Sequence, residues 1–416
     1  MCGTGTRTNG EAAWHHMARF VRRSSSCPYP FRGAFCPEWR LGFILAYCGF
    51  EETTDLLALR TGVIVAWRDE QIRCFPESAV VQFQAILHIK MQTNSTTQPA
   101  TLIYNPYAGF DSWQESIAAC AYYWEEHGWQ ITVHETAYPG HATELAAAAV
   151  AASHPLVIAA GGDGTLHEVA NGLLGTPAIL APLPAGTTNC LTRDLGLPGP
   201  SKATPNWLIT TTRRLLDGAV HGMDVGQCSN GKSFLLLAGI GLDSYVVETV
   251  EPRSRLLKRF GLAGYVAKAA APFLFYQGVD MRITVDATVV DGPVLTAMIC
   301  NSRTYAGGLY NLNPQGVLDD GQMEVWIFRG RFAPEMFIHS LWIVAQRHHD
   351  QRHIIKLTGS HVTVEAATLQ PYHLDGELHR ATPFTCMLQP RALRLLVPSG
   401  APADLFAHEG TPLGDA

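Results

Sequence analysis

The stretch "PLVIAAGGDGTLHEVANGLL", residues 155–174, decides the fold. Its first half is a short unbroken apolar run, the pattern of a strand buried on both faces. Its second half carries Leu166, Val169, Ala170, Leu173 and Leu174 at i, i+3, i+4, i+7 and i+8, one apolar stripe of a helix. His167, Glu168 and Asn171 share the other face. Between the two halves stand Gly161, Gly162, Asp163 and Gly164, with Thr165 opening the helix. Glycines let backbone N–H groups approach a phosphate closely, and a helix N-terminus adds its own unsatisfied donors. An aspartate beside polyphosphate is repulsive unless a divalent cation lies between them or the carboxylate handles a proton.

The same alternation extends outward from this unit. "ATLIYNPYAG" (100–109) reads as a strand that Pro106 and Gly109 end in a turn. A helical pattern runs from Trp113 to His127, followed by the strand "QITVHETA" (130–137) and the Ala-rich helix "GHATELAAAAVAA" (140–152). "PAILAPLPAGTTN" (177–189) supplies a further strand and turn. Strands alternating with helices predict a parallel sheet covered on both faces. Beyond residue 220 short strands take over, including "MRITVDATVV", "LTAMICN", "QMEVWIF", "HVTVEAA" and "ALRLLVP", with helices expected over 254–275 and 333–348. The predicted fold class is therefore an α/β nucleotide-binding domain at 97–222 followed by a mainly β domain at 223–400, with a tail at 401–416.

Composition sets the outer limits. The chain of 416 residues is 47% hydrophobic and 16% charged, as in a globular protein with sizeable cores. A net charge of -6 gives no footprint for nucleic acid. No apolar run reaches the roughly 18 residues of a spanning helix, and "LGFILAYCGF" (41–50) lacks the flanks and cleavage site of a signal peptide. The ten cysteines form no CxxC pair and match no zinc spacing, which suits a cytoplasmic protein. Five of them, Cys2, Cys27, Cys36, Cys48 and Cys74, crowd into the poorly patterned first 95 residues. Residues 1–95 are expected to be an extension outside the functional fold, disordered or untranslated, with a small accessory domain as the alternative.

The GGDGT turn, with "NPYAG" upstream and "PAGTTN" downstream, resembles the diacylglycerol kinase catalytic-domain family, which includes bacterial diacylglycerol kinases, YegS-like lipid kinases, and sphingosine and ceramide kinases. "AGIGLDSYVVE" (238–248), "GVLDDGQMEV" (316–325) and "LDGE" (374–377) continue the match in the family's order, over about residues 100–398. The resemblance implies an α/β domain followed by a β-sandwich, in a two-domain, NAD-kinase-like architecture. It implies ATP bound by Asn105, Pro106, Tyr107, Thr136, Thr187 and Asn189. The same site would take in Gly161, Gly162, Asp163, Gly164, Thr165 and Glu168. Asp375 matches the family's general base, which the reaction needs because a lipid hydroxyl must lose its proton to attack the γ-phosphate. Asp163 and Glu377 complete the candidate catalytic set. Two residues apart in an extended strand, Asp375 and Glu377 would point the same way; Asp-Gly is also a hairpin signal, and a surface hairpin turn is the alternative. The LDDG loop would hold a structural Mg²⁺ through the Asp320 side chain and backbone oxygens of Val317 and Gln322. The implied partners are ATP and a lipid at the inner membrane surface, with a homodimer open.

The chain departs from the family pattern twice. Ala108 stands where a serine or threonine is usual, and "GTTNC" puts Cys190 where the family commonly has aspartate. Cysteine does not serve Mg²⁺ as a carboxylate does. An NAD-kinase-like enzyme with a soluble acceptor and a nucleotide-binding regulator without turnover are therefore the competing readings. Three further motifs carry less. "GQCSNGKS" (226–233) fits the P-loop pattern, but Asn230-Gly231 between apolar runs reads better as a hairpin turn. His349 and His353 in "RHHDQRH" are spaced as a helical metal pair but read as a solvated polar face. "PRSRLLKRFGLAGYVAKAAAPFLF" (252–275) has a basic start and an apolar helix, suited equally to a membrane surface and to sandwich packing.

Overall fold

The computed structural model describes residues 64–68, 71–75 and 97–416, apart from 110–113, 201–205, 251–275, 306–307, 309 and 380–381. The chain divides into two compact units, Met1–Asn94 and Ser95–Ala416. In the first, β1 (Ile64–Arg68) and β2 (Gln71–Phe75) form an antiparallel hairpin. The other expectations for residues 1–95 lie outside the described residues, as does the basic–apolar segment 252–275.

In the second unit, β3 (Gln98–Tyr104), β4 (Trp129–Glu135), β5 (Leu156–Gly161) and β6 (Ile179–Pro184) are parallel. All six residues of β5 are buried, as the unbroken apolar run requires. Alternate side chains feed two cores. On one face Ile103, Val157 and Leu180 pack against α2 (His141–Ala151) and α3 (Asp163–Leu173). On the other, Leu102, Ile158 and Ala181 meet α1 (Gln114–Glu125) and α5 (Trp207–Leu216), with the short α4 (Cys190–Asp194) between β6 and α5 in the chain. The order in the sheet is β6-β5-β3-β4. From β3 the chain first steps to β4 and then crosses back to β5, so the sheet's switch point lies between β3 and β5. Ligands of open α/β sheets bind at that crevice, outside the strands' carboxyl ends.

The remaining strands are β7 (Ala219–Cys228), β8 (Ser233–Phe234), β9 (Leu237–Gly241), β10 (Val279–Val285), β11 (Thr288–Cys300), β12 (Thr304–Tyr305), β13 (Tyr310–Asn311) and β14 (Met323–Arg329). Then come β15 (Ile354–Gly359), β16 (His361–Ala366), β17 (Tyr372–Leu374), β18 (Glu377–His379), β19 (Phe384–Val397) and β20 (Thr411–Pro412). Among the described residues two α-helices accompany them, α6 (Leu242–Val250) and α7 (Ala333–Val344). The long β11 pairs with β10 in its first half and with β9 and β14 in its second, bending at a bulge between Val294 and Thr296. A third apolar core, including Phe234, Ile283, Val325 and Val364, fills this antiparallel half. β19 belongs to both halves: it is antiparallel to β16 and β7, and parallel to β6 at Arg394 and Leu395.

Three local expectations change. The helix expected over 333–348 ends at Val344, and His348–Asp350 form a separate 3₁₀ turn, so His349 and His353 do not share a helix. Residues 401–416 are built into the fold: β20 pairs with β7, and the Asp319 carboxylate accepts N–H bonds from Ala407 (2.5 Å) and His408 (3.1 Å). Cys228 and Cys386, opposite each other on β7 and β19, form a disulfide. Their separation of 158 residues hid it from spacing arguments.

The P-loop lookalike is a hairpin. Ser229–Lys232 turn from β7 into β8, Gly231 N–H bonds to the Cys228 carbonyl at 2.9 Å, and no helix follows. Lys232 is exposed there. Lys232→Ala is expected to leave ATP affinity within about twofold of wild type, as for other surface substitutions. Equilibrium dialysis would detect the large loss that a working P-loop lysine would produce.

Candidate active site

Three loops meet at the switch point. Residues 105–109 follow β3, 161–165 join β5 to α3, and 185–189 follow β6. They are packed so closely that only glycine fits at the contacts. A Cβ on Gly109 would lie 2.7 Å from the Ala185 carbonyl oxygen, and one on Gly186 would lie 2.8 Å from Asn189 Oδ1 and press on Gly162 Cα. Asn105 links two of the loops, accepting the Tyr107 N–H at 2.9 Å and donating to Thr165 Oγ1 at 3.3 Å. Helix α3 starts after Gly162 with no side-chain cap. The N–H groups of Asp163, Gly164 and Thr165 thus remain available at its N-terminus, where the helix dipole favours an anion. The space above Gly164 is open.

The predicted nucleotide residues fall into two groups. Gly161, Gly162, Gly164, Asn105, Pro106, Tyr107 and Thr187 belong to the converging loops, with Tyr107 and Thr187 exposed. Thr136, just past β4, is buried, and its N–H bonds to the Tyr104 carbonyl at 2.9 Å. The other group is occupied internally. The Asn189 side chain, held at φ 52°, accepts from Gly186 N–H (3.0 Å) and donates to the Gly186 carbonyl (2.7 Å), closing its turn. Glu168 reaches back to the Ala142 N–H at 3.2 Å and caps α2. Asp163 accepts the Thr188 hydroxyl at 2.8 Å and the Leu191 N–H at 3.4 Å. Burial pushes the Asp163 carboxyl above its ordinary range, and the charge of Asp375 adds to that shift. Two of the three candidate catalytic acids are thus within electrostatic reach of each other.

Asp375 sits at the tip of the β17–β18 hairpin. It and Gly376 both have positive φ, 49° and 92°, the conformation of a two-residue primed turn. The hairpin signal of Asp-Gly and the candidate base are the same residue. The arrangement expected for Glu377 is corrected by this turn: Glu377 pairs across it with Leu374, so Asp375 and Glu377 do not lie along one strand, and Glu377 is exposed. The Asp375 carboxylate accepts three consecutive backbone N–H groups, from Leu235 (2.7 Å), Leu236 (2.9 Å) and Leu237 (2.9 Å). Those donors are tied to α3, because His167 Nε2 donates to the Ser233 carbonyl at 3.0 Å and Asn171 bonds the Ser233 hydroxyl. The second face of the GGDGT helix is therefore covered rather than solvated, and it connects the GGDGT turn to the loop that holds Asp375.

Sequence reasoning missed a chain of side chains behind the hairpin. His373 Nδ1 accepts the Gly376 N–H at 3.2 Å, which assigns the proton to Nε2, directed at Asp243 Oδ2 2.6 Å away. Tyr305 donates its hydroxyl to the other Asp243 oxygen. Gly239 leaves room for this pair. Asn301 braces the loop that holds Asp375, donating to the Leu235 carbonyl at 3.0 Å and the Asp224 carbonyl at 2.8 Å. Asp243 and Gly239 lie in one quoted motif and Asn301 ends a quoted strand, but His373 and Tyr305 are dispersed along the chain.

Near Val317–Gln322 three carboxylates gather. Asp224 accepts N–H groups of Gly321 (2.7 Å) and Arg391 (2.7 Å), and Asp320 accepts that of Gln322 (3.0 Å). Burial raises the carboxyl pKa of both Asp224 and Asp320, and Asp319 adds to the rise in each. Among the described residues no three His, Cys, Asp or Glu side chains are arranged to hold a metal. A cation here would need backbone carbonyls as well as Asp320.

Asp194, at the end of α4, accepts N–H groups of Arg303 (2.8 Å) and Thr304 (3.2 Å), and burial pushes its carboxyl up to about 6 despite them. Its folded pKa lies above the unfolded value of about 3.9. The folded state therefore binds the extra proton, and that stability is present below about pH 4 and lost as pH rises through about 6, amounting to about 3 kcal/mol. Asp194→Asn is expected to remove this decline. Urea unfolding of both proteins across that window checks it.

Comparisons with known proteins agree with this layout. The diacylglycerol kinase catalytic domain matches residues 99–228, and the YegS C-terminal NAD kinase beta sandwich-like domain matches 237–397. A diacylglycerol kinase of Bacillus subtilis (strain 168) is 28% identical over 280 residues, covering 67% of this chain and 89% of the relative. A Pseudomonas putida (strain KT2440) relative named as a YegS-like lipid kinase is 31% identical over 288 residues, covering 68% of this chain and 90% of its own length. A solved structure of a diacylglycerol kinase from Bacillus anthracis str. Sterne superposes with a TM-score of 0.54 at 22% identity, covering 73% of this chain and 98% of that one, and supports the fold. No helix among the described residues is long and apolar enough to cross a membrane. With the α/β domain, the sandwich and the motifs in register, the chain belongs to the diacylglycerol kinase and YegS-like family of lipid kinases.

Proposed function

We propose that this chain transfers the γ-phosphate of ATP to a lipid hydroxyl, with diacylglycerol as acceptor and phosphatidic acid as product. The observation that carries the proposal is the fixed Asp375 carboxylate, held by three N–H groups of a loop that His167 and Asn171 tie to the GGDGT helix. The uncapped N–H groups of α3 would hold phosphate oxygens, with Asn105 and Thr187 on neighbouring loops. Asp375 would take the acceptor's proton as the hydroxyl attacks. Mg²⁺ would offset phosphate charge, and the Asp320 loop, with the Val317 and Gln322 carbonyls, would hold a second, structural ion. Asp163 is engaged with Thr188 and Leu191, so its part would be to set the position of α4 beside the phosphates as much as to meet a cation.

The test uses the full chain, γ-labelled ATP, Mg²⁺ and a lipid extract containing added diacylglycerol. Label entering the organic phase as phosphatidic acid supports the proposal. Label in another lipid corrects the acceptor, and label only in a soluble product such as NADP moves the assignment to a soluble acceptor.

A further inference from the structure

Helix α7, "APEMFIHSLWIV", departs from the pattern of a surface helix. Its inner face places Met336 and Ile343 in a buried cluster with Leu237, Leu242, Trp326 and Phe328. Its two titratable side chains are engaged at the helix start: Glu335 accepts the Arg331 and Phe332 N–H groups at 3.3 and 3.1 Å, and His339 Nε2 donates to the Arg329 carbonyl at 3.1 Å. What faces outward is Pro334, Phe337, Ile338, Leu341 and Val344, all exposed and all apolar. Phe337 and Val344 are each 63% exposed, Ile338 54% and Leu341 53%, and Phe332 just before the helix is 63% exposed. Single exposed apolar residues are ordinary, but a stripe three turns long with no polar member marks a binding surface.

The charges at its border identify what binds. Beyond the C-terminal end, Arg347 and Arg352 are exposed and have no acidic partner among the described residues. His349 and His353 stand beside them, and Asp350, the one acid of the stretch, lies 3.5 Å from His349. At the other end stand Arg329 and Arg331, the latter 3.3 Å from Asp280. An apolar stripe with a basic cluster at its C-terminal end is what a helix lying in the headgroup layer of an anionic bilayer presents. A second copy fits less well. A two-fold contact with parallel helices would set Arg347 and Arg352 against their own counterparts, and an antiparallel one would set them beside Arg331, whose charge Asp280 already meets.

We infer that the outward face of α7 docks this chain onto an anionic phospholipid surface, Phe337 and Leu341 entering the headgroup boundary and Arg347 and Arg352 contacting lipid phosphates. The buried face of the same helix shares its cluster with Leu237, whose N–H holds Asp375. Docking there would bring the acceptor side of the sandwich to the membrane. The inference rests on the lipid-kinase reading for the choice of surface, and binding measured without ATP tests it independently of catalysis.

The experiment is co-sedimentation of the full chain with phosphatidylcholine vesicles, with and without phosphatidylglycerol. Wild type is expected to bind the mixed vesicles and to release them at high salt. Arg347→Gln with Arg352→Gln should lose about twentyfold in affinity for mixed vesicles, at about fivefold per charge. Phe337→Ser with Leu341→Ser should lose about tenfold or more on either vesicle, at unchanged melting temperature and ATP affinity. Vesicle binding equal to wild type in the serine pair would overturn the inference. So would a wild type that ignores vesicles but sediments as a dimer which the serine pair splits, since the occupant would then be a second copy. If the serine pair does not fold, the glutamine pair decides: loss of the preference for mixed vesicles supports docking, and its retention overturns it.

Discussion

Replacing Asp375 by asparagine is expected to lower phosphoryl transfer by about 10³-fold or more, while ATP affinity stays within a few-fold of wild type. Two losses combine. The side chain can no longer accept a proton, and its amide NH₂ must face an N–H donor that a carboxylate oxygen now satisfies. Asp375 Oδ2 takes Leu235 and Oδ1 takes Leu236 and Leu237, so one end of an asparagine meets a donor with a donor. Glu377→Gln is the paired control. Glu377 is exposed on the far side of the turn, and its loss is expected to cost less than tenfold. Single-turnover measurements on both variants separate chemistry from binding. Equal losses in the two would remove Asp375 from its role as the base.

The second large effect concerns packing between loops. Gly186→Ala is expected to weaken ATP binding at least tenfold and to reduce stability by about 1–3 kcal/mol. The added methyl would press on the Gly162 backbone and lie 2.8 Å from Asn189 Oδ1, so no rotamer change relieves it. The loops must separate, and the N–H groups of α3 lose their placement. Gly164→Ala provides the contrast. Nothing lies within 4 Å of a Cβ at Gly164, so its stability should hold or rise while ATP affinity falls, because the methyl stands where phosphate must approach. Denaturation and nucleotide titration of both variants distinguish these outcomes. A Gly186→Ala protein with native stability would show that the three loops are looser than they are drawn.

The strand, turn and helix at 155–174 were legible because their evidence is local: a buried run, glycines where backbones touch, and a clean helical period. The order of NPYAG, GGDGT and LDGE placed the site for the same reason. Legibility failed where a residue's role depends on a distant partner. Glu168 reads as a polar helix residue, yet it caps α2 twenty-six positions away in the chain. His167 sits on the polar face and is buried because β8 returns over it. The Asp243–His373–Tyr305 chain joins three separate strand and helix ends, which no spacing rule anticipates. Asp-Gly allowed both a strand and a hairpin reading, and its left-handed preference makes it the corner, which separates Glu377 from Asp375.

The double membership of β19 also bears on how the chain is made. β6 has β5 on one side, and among the described residues its other edge is closed by Arg394 and Leu395 of β19 alone. As the chain emerges from the ribosome, the nucleotide-binding half therefore waits for some two hundred further residues with an open, apolar sheet edge. An edge of that kind recruits foreign strands. Contacts so distant in sequence also form slowly. A chain cut short before β19 would therefore present the β6 edge for pairing with a strand of another molecule.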